Sequence, residues 1–341
     1  MPISLFSHPY RLGVIARNAM YDRGILRSRP LGVRTISVGN ITAGGTGKTP
    51  LVAKIAAMLA ESGEKVCILT RGYGRQNAGS RVIVADGNFI EDDPAIAGDE
   101  PAELARRLQS RAVIIADARR YEAGLWAKQK FGITTFVLDD GFQHRQVARD
   151  LDIVCVDATD PFSEGKMLPV GRLREPVSSL RRADAVVITR LNLVDSVEVI
   201  RRRIVAAAPD RPVFTCSSGI QLITKLSDYL GNKPLPAEMP KRVLTFCALG
   251  NPSNFYRTLD LAGYEIAGSV AFPDHHFYRS NDVEKIEKAA VKANAHALVT
   301  TAKDAVKLKM AKFNAECYVV EIEARVRNSS AFHKLITSPL S

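Results

Sequence analysis

Cysteine and long apolar runs are both scarce in this chain of 341 residues. Only five cysteines are present, they are scattered, and no two of them form a C-x-x-C pair, so the sequence indicates neither a disulfide framework nor a zinc site. No apolar run approaches the roughly 18 residues that suggest a membrane-spanning helix, and the first residues lack the continuous apolar stretch of a secretory signal. We therefore expect a protein of a reducing compartment that is neither exported nor embedded in a membrane.

Acidic residues are outnumbered by basic ones. The chain has 47 Lys and Arg against 36 Asp and Glu, a formal net charge of +11. Such an excess predicts an anionic partner, which could be a nucleic acid, a phosphorylated metabolite or an acidic membrane surface. No RNA-binding or helix-turn-helix signature accompanies the surplus, so nucleic-acid binding is the least favoured of the three.

The first 34 residues form a basic segment. They contain six arginines against the single acid Asp22. Between Pro9 and Gly24, apolar residues recur at three- and four-residue spacing, which predicts one amphipathic helix. Two interpretations of its apolar face stay open: the face packs on the rest of the protein, or it lies among lipid headgroups while the arginines meet phosphates.

From residue 35 onward, short apolar runs alternate with helical stretches. The predicted strands before residue 190 are 35–38, 66–69, 82–85, 113–116, 134–138, 153–156 and 185–189. Continuously apolar strands separated by helices are typical of an α/β fold with a mainly parallel sheet between two layers of helices. Periodicity is lost in the Gly- and Pro-rich stretch 231–240 and resumes after it. We therefore expect four parts, namely the basic N-terminal helix (1–34), a larger domain (35–222), a short hairpin-like linker (223–240) and a smaller α/β domain (241–341).

The strongest chemical signal lies between the first predicted strand and the helix after it. Residues 37–50 read Ser-Val-Gly-Asn-Ile-Thr-Ala-Gly-Gly-Thr-Gly-Lys-Thr-Pro. A glycine-rich loop that ends in Gly-Lys-Thr at a strand-to-helix junction is typical of a phosphate-binding loop, because its backbone N–H groups can surround phosphate oxygens. We expect Lys48 to reach the β- and γ-phosphates of a nucleotide and the Thr49 hydroxyl to ligate Mg²⁺. The predicted nucleotide-binding residues are Thr42, Ala43, Gly44, Gly45, Thr46, Gly47, Lys48 and Thr49.

Two carboxylates, Asp139 and Asp140, follow the predicted strand 134–138. Ligands of open α/β sheets bind at the carboxyl ends of the strands. One of the two aspartates is therefore expected to hold Mg²⁺, directly or through water. The alternative is a solvated turn, because Asp-Asp-Gly is turn-like by itself.

Two further clusters could act on the group that accepts a phosphate. Asp99 and Glu100 stand at the start of a predicted helix, where Asp99 could instead simply cap the helix. His275 and His276 are adjacent in a loop of the smaller domain, and such histidines are often structural. Transfer to a hydroxyl needs a group that accepts its proton, while cations neutralise charge on the transferred group.

Seven sequence blocks occur together and in a fixed order. Besides residues 37–50, they are Thr-Arg-Gly-Tyr-Gly-Arg (70–75), Gly-Asp-Glu-Pro (98–101), Asp-Asp-Gly-Phe-Gln-His (139–144), Leu-Pro-Val-Gly-Arg-Leu-Arg-Glu-Pro (168–176), Phe-Pro-Asp-His-His (272–276) and Thr-Thr-Ala-Lys-Asp-Ala-Val-Lys-Leu (300–308). On these blocks the chain resembles the tetraacyldisaccharide 4′-kinase (lipid A 4′-kinase) family over nearly its whole length. One departure is Ala302, where the family often has Glu.

The resemblance implies a P-loop kinase that uses ATP and Mg²⁺. Such an enzyme transfers the γ-phosphate of ATP to the 4′-hydroxyl of tetraacyldisaccharide 1-phosphate and gives the 1,4′-bis-phosphate lipid A precursor. It is a peripheral protein of the cytoplasmic face of the bacterial inner membrane. Its implied partners are the acylated disaccharide lipid and the anionic membrane surface, with no nucleic acid and no evident protein partner, which favours the membrane interpretation of the N-terminal helix.

The resemblance also implies roles for individual residues. It makes Asp99 the expected catalytic base, assisted by His275 or His276, with His275 slightly favoured, and it adds Lys48 to the catalytic set. Asp139 and Asp140 fall in the family's metal- and nucleotide-site motif. Four more residues are candidates for contact with the substrate, namely Glu100, Gln143, Arg172 and Arg174.

A P-loop GTPase or metallochaperone-type switch protein is the alternative. Residues 184–195 loosely resemble the segment by which such proteins read guanine. They lack a clear Asn-Lys-x-Asp, and no Cys/His cluster in the sequence offers a site for a metal cargo.

Overall fold

A computed structural model of the chain describes residues 7–338. Residues 1–6 of the predicted basic segment and residues 339–341 of the predicted smaller domain lie outside the described residues. The helices are α1 (Ser7–Asp22), α2 (Lys48–Glu61), α3 (Pro94–Ala97), α4 (Asp99–Leu108), α5 (Arg120–Phe131), α6 (Glu198–Ala207), α7 (Leu226–Leu230), α8 (Pro252–Leu261), α9 (Ser280–Lys292), α10 (Ala302–Ala305) and α11 (Ser329–Thr337).

The strands form one twelve-stranded sheet. They are β1 (Arg34–Asn40), β2 (Val66–Thr70), β3 (Val82–Ala85), β4 (Val113–Ala116), β5 (Thr135–Asp139), β6 (Leu151–Asp157), β7 (Ala185–Thr189), β8 (Val213–Lys225), β9 (Arg242–Cys247), β10 (Glu265–Ala271), β11 (Ala297–Thr301) and β12 (Cys317–Val326). Their order across the sheet is β10-β9-β11-β12-β8-β7-β6-β1-β5-β2-β4-β3. Two of these neighbouring pairs, β3 with β4 and β8 with β12, are antiparallel, and the others are parallel. The predicted mainly parallel α/β fold is confirmed.

The central strands are apolar because helices cover both faces of the sheet. Every residue of β2, β4, β5, β6 and β7 is buried. On α2, Leu51, Ile55 and Leu59 are fully buried and recur at four-residue spacing, which places one apolar stripe of this helix in the core. The helix that follows the phosphate loop is therefore firmly anchored to the sheet.

Strand β8 connects the two parts of the sheet. Its residues 213–215 pair in parallel with β7, and residues 216–225 pair with β12 in the antiparallel direction. The strand crosses position 222, where the sequence predicts the end of the larger domain. One apolar core cluster likewise includes Ile55 of α2, Phe246 of β9 and Phe332 of α11. The division into domains stays a prediction.

Helix α1 packs on the rest of the protein through one of its sides. Tyr10 donates a hydrogen bond to the carbonyl of Arg174 (3.2 Å), and Asn18 donates to a carboxylate oxygen of Glu175 (2.6 Å). Leu12 remains 68% exposed. Among residues 7–338, no helix combines the length and the apolar character that crossing a bilayer requires.

Candidate active site

The predicted phosphate loop connects β1 to α2. Gly44 and Gly47 have φ angles of 101° and 76°, which side-chain-bearing residues rarely adopt, so the turn needs glycine at both positions. The loop lines a cavity of about 660 Å³. Because the first backbone N–H groups of a helix have no partner within it, the start of α2 offers donors and a positive helix end beside this cavity.

Side chains beneath the loop hold its shape. Asn40 donates hydrogen bonds to the Thr42 carbonyl (2.6 Å) and to the Thr46 hydroxyl (3.1 Å). Thr189, at the end of β7, donates to the Thr46 carbonyl (2.7 Å). Both Thr42 and Thr46 are buried. Of the eight predicted nucleotide-binding residues, Thr42 supports the loop through its carbonyl and Thr46 through its hydroxyl and its carbonyl. The other six, Ala43, Gly44, Gly45, Gly47, Lys48 and Thr49, line the cavity.

The two predicted aspartates lie opposite the phosphate loop at the carboxyl end of β5. Asp140 lies 3.4 Å from the Lys48 ammonium group and accepts a hydrogen bond from Arg174 (2.7 Å). Asp139 accepts a hydrogen bond from the Thr70 hydroxyl (3.1 Å). Adjacent parallel strands thus bring Lys48, Asp139 and Asp140 to one edge of the sheet, as the sequence predicts.

The environments of the two aspartates give them different proton affinities. Burial, together with the charges of Glu100 and Asp140, raises the pKa of Asp139 to about 6. Burial also raises the pKa of Asp140, but Lys48 and Arg174 outweigh it and hold that pKa well below its ordinary value. Asp140 is therefore a permanent carboxylate, whereas Asp139 holds a proton more readily until a cation joins it.

These donors fit a magnesium ion that a nucleotide brings with it. Two carboxylates and the Thr49 hydroxyl are hard oxygen ligands, and Thr49, Asp139 and Asp140 all line the cavity. In the described part of the chain, no group of three or more His, Cys, Asp or Glu side chains forms a metal cage. A site with few protein ligands is typical of Mg²⁺ bound together with phosphates.

Asp99 and His275 come from two distant parts of the chain and pair beside the cavity, which His275 lines and Asp99 does not. Asp99 is the first residue of α4 and is 4% exposed. His275 Nδ1 lies 2.8 Å from Asp99 Oδ2. His276 instead pairs with Asp282 (2.9 Å) and stacks on Phe272. The structure therefore distinguishes the two histidines that the sequence leaves as alternatives.

Partners shift the protonation of this pair. Burial raises the pKa of Asp99, but the His275 hydrogen bond and the Lys303 and Lys307 charges outweigh it, so that pKa lies below its ordinary value. The hydrogen bond to Asp99 raises the pKa of His275, against the opposing effect of burial. Asp99 is thus a carboxylate at neutral pH.

Two lysines that were not among the predicted site residues lie near Asp99. Lys303, on α10, lies 3.8 Å from Asp99 Oδ2, 3.4 Å from Glu100 and 3.1 Å from Asp274. The side chain of Lys307 is fully buried, and its Nζ lies 3.8 Å from Asp99 Oδ2. Both belong to the sequence block 300–308, but only the fold shows that this block reaches Asp99.

The four candidates for substrate contact divide into two groups. Glu100 and Arg174 line the cavity. Gln143 donates to the Asn40 carbonyl (2.9 Å) and to Glu175 (3.1 Å), so it braces the start of the loop.

The fourth candidate, Arg172, lies against the phosphate loop. Its Nε donates to the Ala43 carbonyl (3.0 Å), and its guanidinium group occupies the space that a side chain at position 44 would need. Four further arginines that were not among the predicted site residues also line the cavity, namely Arg71, Arg107, Arg120 and Arg190. Arg120 donates to the Asp140 carbonyl (3.1 Å).

Residues 184–195, which loosely resemble a guanine-reading sequence, contain a side chain that is bound to the backbone of a neighbouring strand. Asn192 donates to the Ser218 carbonyl (3.0 Å) and accepts from the Ser218 N–H (2.8 Å). Both ends of this amide are thus satisfied by β8.

Comparisons with known proteins give consistent matches. A family model described as Tetraacyldisaccharide-1-P 4′-kinase matches residues 1–341. A curated tetraacyldisaccharide 4′-kinase of Anaeromyxobacter sp. (strain Fw109-5) is 41% identical over 314 residues, which cover 91% of this chain and 83% of the relative. One of Halothermothrix orenii is 36% identical over 344 residues, covering 96% and 89%. The crystal structure of "apo" form LpxK from Aquifex aeolicus in complex with ATP matches with a TM-score of 0.77 and 29% identity over 98% of each chain.

Proposed function

This chain belongs to the tetraacyldisaccharide 4′-kinase family, and we propose that it transfers the γ-phosphoryl group of ATP to the 4′-hydroxyl of tetraacyldisaccharide 1-phosphate. The product is the 1,4′-bis-phosphate precursor of lipid A. One observation carries this proposal: the phosphate loop and His275, which holds the carboxylate of Asp99, line the same cavity. A donor phosphate and a proton-accepting group are the two things that phosphoryl transfer to an alcohol requires.

The chain's own cations bind and orient the donor. Lys48 and the backbone N–H groups of residues 44–49 would hold the β- and γ-phosphates of ATP, with Arg174 nearby through its bond to Asp140. Thr49, Asp139 and Asp140 would hold Mg²⁺. When bound, this ion neutralises charge on the phosphoryl oxygens.

Asp99 accepts the proton of the 4′-hydroxyl. Its lowered pKa means that the carboxylate is unprotonated at neutral pH and available. A weak base is sufficient, because phosphoryl transfer passes through a loose transition state in which the attacking oxygen needs little activation. His275 fixes the orientation of Asp99 through the 2.8 Å contact.

The predicted division of the chain separates the two sides of this cavity. We propose that the larger part, 35–222, contributes the phosphate loop, Asp99 and Asp140. The smaller part, 241–341, contributes His275 and Lys303. Closure of the His275 loop over the substrate would then exclude water from the transferred group.

Helix α1 is proposed to dock on the cytoplasmic face of the bacterial inner membrane, where an acylated substrate resides. Leu12 and Ile15 are 68% and 43% exposed on the same helix that carries Arg11 and Arg17. Exposed aliphatic side chains beside arginines suit a layer of anionic headgroups. The association is peripheral.

The test is incubation with ATP labelled in its γ-phosphate, Mg²⁺ and the disaccharide 1-phosphate in mixed micelles. We expect a labelled, doubly phosphorylated lipid, and D99N should lower kcat by about a hundredfold or more. Absence of lipid labelling by the wild-type protein, or near-wild-type turnover by D99N, would contradict the function or the role of Asp99, respectively.

A GTP-driven switch is the alternative, and the donor specificity tests it. In the segment that loosely resembles a guanine-reading sequence, both ends of the Asn192 side-chain amide are bonded to Ser218. We therefore expect ATP to be a far better donor than GTP. Faster hydrolysis of GTP than of ATP, independent of lipid, would favour the switch protein instead.

A further inference from the structure

Lys303 stands at the point where the two sides of the cavity meet. Strand β11 ends at Thr301, whose hydroxyl accepts a hydrogen bond from the N–H of Asp304 (3.1 Å) and so begins α10. This short helix directs Lys303 into the cavity, where its side chain is 13% exposed. A lysine in this position must find its partners in the cavity wall, because little water reaches it.

Three carboxylates surround the ammonium group of Lys303. Asp274 Oδ1 lies at 3.1 Å, Glu100 Oε1 at 3.4 Å and Asp99 Oδ2 at 3.8 Å. Asp99 and Glu100 come from α4, whereas Asp274 comes from the loop that carries His275. Lys303 therefore joins the two sides of the cavity with one charge.

These contacts close a ring around the proposed base. Lys303 donates to Asp274 Oδ1, and the same oxygen accepts the backbone N–H of His275 (3.1 Å). His275 Nδ1 lies 2.8 Å from Asp99 Oδ2. The same Asp99 oxygen lies 3.8 Å from Lys303 Nζ, which completes the ring. His275 itself has a φ of 62°, a conformation that costs energy for a non-glycine residue and persists only when neighbours hold it.

We propose that Lys303 is a positioning residue for the phosphoryl transfer, because it holds Asp274 and Asp99 together and thereby keeps His275 against Asp99. This inference rests on the proposed kinase function. Lys303 acts through Asp99 and His275, and its charge also keeps Asp99 unprotonated. Without it, three carboxylates would face one another across the cavity with one fewer cation between them.

The charged groups around Asp99 determine how the removal of Lys303 changes the pKa of Asp99. Asp99 faces three groups of the smaller part, namely His275, Lys303 and Lys307, and it adjoins Glu100 on its own helix. The charge of Lys303 also acts to lower the pKa of Glu103, which lies one turn further along α4. Loss of that charge raises the pKa of Asp99, so a larger fraction of the enzyme is inactive at low pH.

The experiment compares K303M, K303R and K309A with the wild-type enzyme, each assayed with ATP, Mg²⁺ and the disaccharide 1-phosphate. Lys309 forms an ion pair with Asp92 between the same two sides of the protein, away from Asp99, which makes K309A a matched control. We expect K303M to lower kcat at least about tenfold with little change in the KM for ATP. The ratio of kcat at pH 8 to kcat at pH 5.5 should increase in K303M but stay at the wild-type value in K303R and K309A.

The ratio separates positioning from a merely structural role. A loss of kcat in K303M with an unchanged pH ratio, or equal losses in K303M and K309A, would overturn the inference. K303Q repeats the test if K303M does not fold, and failure of both neutral variants to fold would likewise overturn it in favour of a structural lysine. Failure of the wild-type enzyme to label the lipid would instead refute the proposed function.

Discussion

Lys48 illustrates how one side chain combines structure and chemistry. It begins α2, lines the cavity and lies 3.4 Å from Asp140. Asp140 keeps a second partner, Arg174, at 2.7 Å. Loss of Lys48 therefore leaves no isolated charge in the site, because Arg174 still neutralises the Asp140 carboxylate.

We expect K48A to remain folded and to lose at least about a hundredfold in kcat, because a positioned cation on the transferred phosphoryl group contributes on that scale. Circular dichroism and thermal unfolding check the fold, and the labelled-lipid assay checks turnover. K54A, on the same helix, is the control and should keep its activity. Intact turnover in K48A would refute the role of the phosphate loop.

The two adjacent histidines should differ in their effect on the pH profile. The hydrogen bond from His275 lowers the pKa of Asp99, so H275N should raise that pKa. Activity that needs the Asp99 carboxylate would then fall at a higher pH than in the wild-type enzyme. H276N loses the contact with Asp282 instead, so its acid limb should stay in place. Steady-state kcat/KM from pH 5 to pH 9 checks this, and matching shifts in both variants would contradict it.

At the scale of elements, the sequence predicts a strand correctly where a continuous apolar run marks it. Strands β3, β4 and β7 have the predicted bounds, 82–85, 113–116 and 185–189, because each is a short continuous run of apolar or small residues. Strand β8 was not predicted. Most of its residues are only half-buried, and its middle reads Ser-Ser-Gly, so no apolar run marks it. Its pairing with β12 is a tertiary effect that local sequence does not contain.

In the candidate site, too, the features that depend on a local stretch of sequence are predictable, and those that depend on tertiary contacts are not. The phosphate loop and the Asp139–Asp140 pair were predictable because each depends on a short stretch of chain at a strand end. The sequence favours His275 over His276 only slightly, because both residues occupy one loop. The contact of His275 with Asp99, and of His276 with Asp282, depends on the tertiary fold. Lys303 and Lys307 lie near Asp99 only through the tertiary fold, because the block 300–308 is distant from α4 in the sequence.

Helix α1 carries a prediction of its own. The double variant L12E/I15E removes the exposed aliphatic side chains but keeps the contacts of Tyr10 and Asn18 with the body of the protein. We expect retention on anionic vesicles to fall roughly tenfold or more, because burial of a leucine side chain contributes about 1.5–3 kcal/mol. L261E is the control, because Leu261 on α8 is 57% exposed, between the values of Leu12 and Ile15.

Sedimentation with vesicles rich in phosphatidylglycerol, compared with zwitterionic vesicles at the same salt concentration, measures this binding. Turnover of substrate presented in detergent micelles should change less than binding to vesicles. Unchanged sedimentation of L12E/I15E would show that α1 serves only to pack on the protein.

At the scale of the whole molecule, the five cysteines are distributed over three apolar clusters, so together they sample most of the core. Cys67, Cys155, Cys216, Cys247 and Cys317 are buried free thiols. Burial raises the pKa of each of them, to about 12 for Cys155 and Cys247, so the folded protein should resist thiol reagents. Two of them lie beyond the predicted linker and three before it.

The labelling of each cysteine against urea concentration therefore tests whether the two parts unfold separately. The sheet is continuous through β8, and α2 shares its apolar cluster with β9 and α11, so we expect all five labelling curves to coincide. An ATP analogue with Mg²⁺ should shift all five curves together, by about 2.7 kcal/mol when present at one hundred times its Kd. Earlier labelling of Cys247 and Cys317 would mean that the smaller part opens alone.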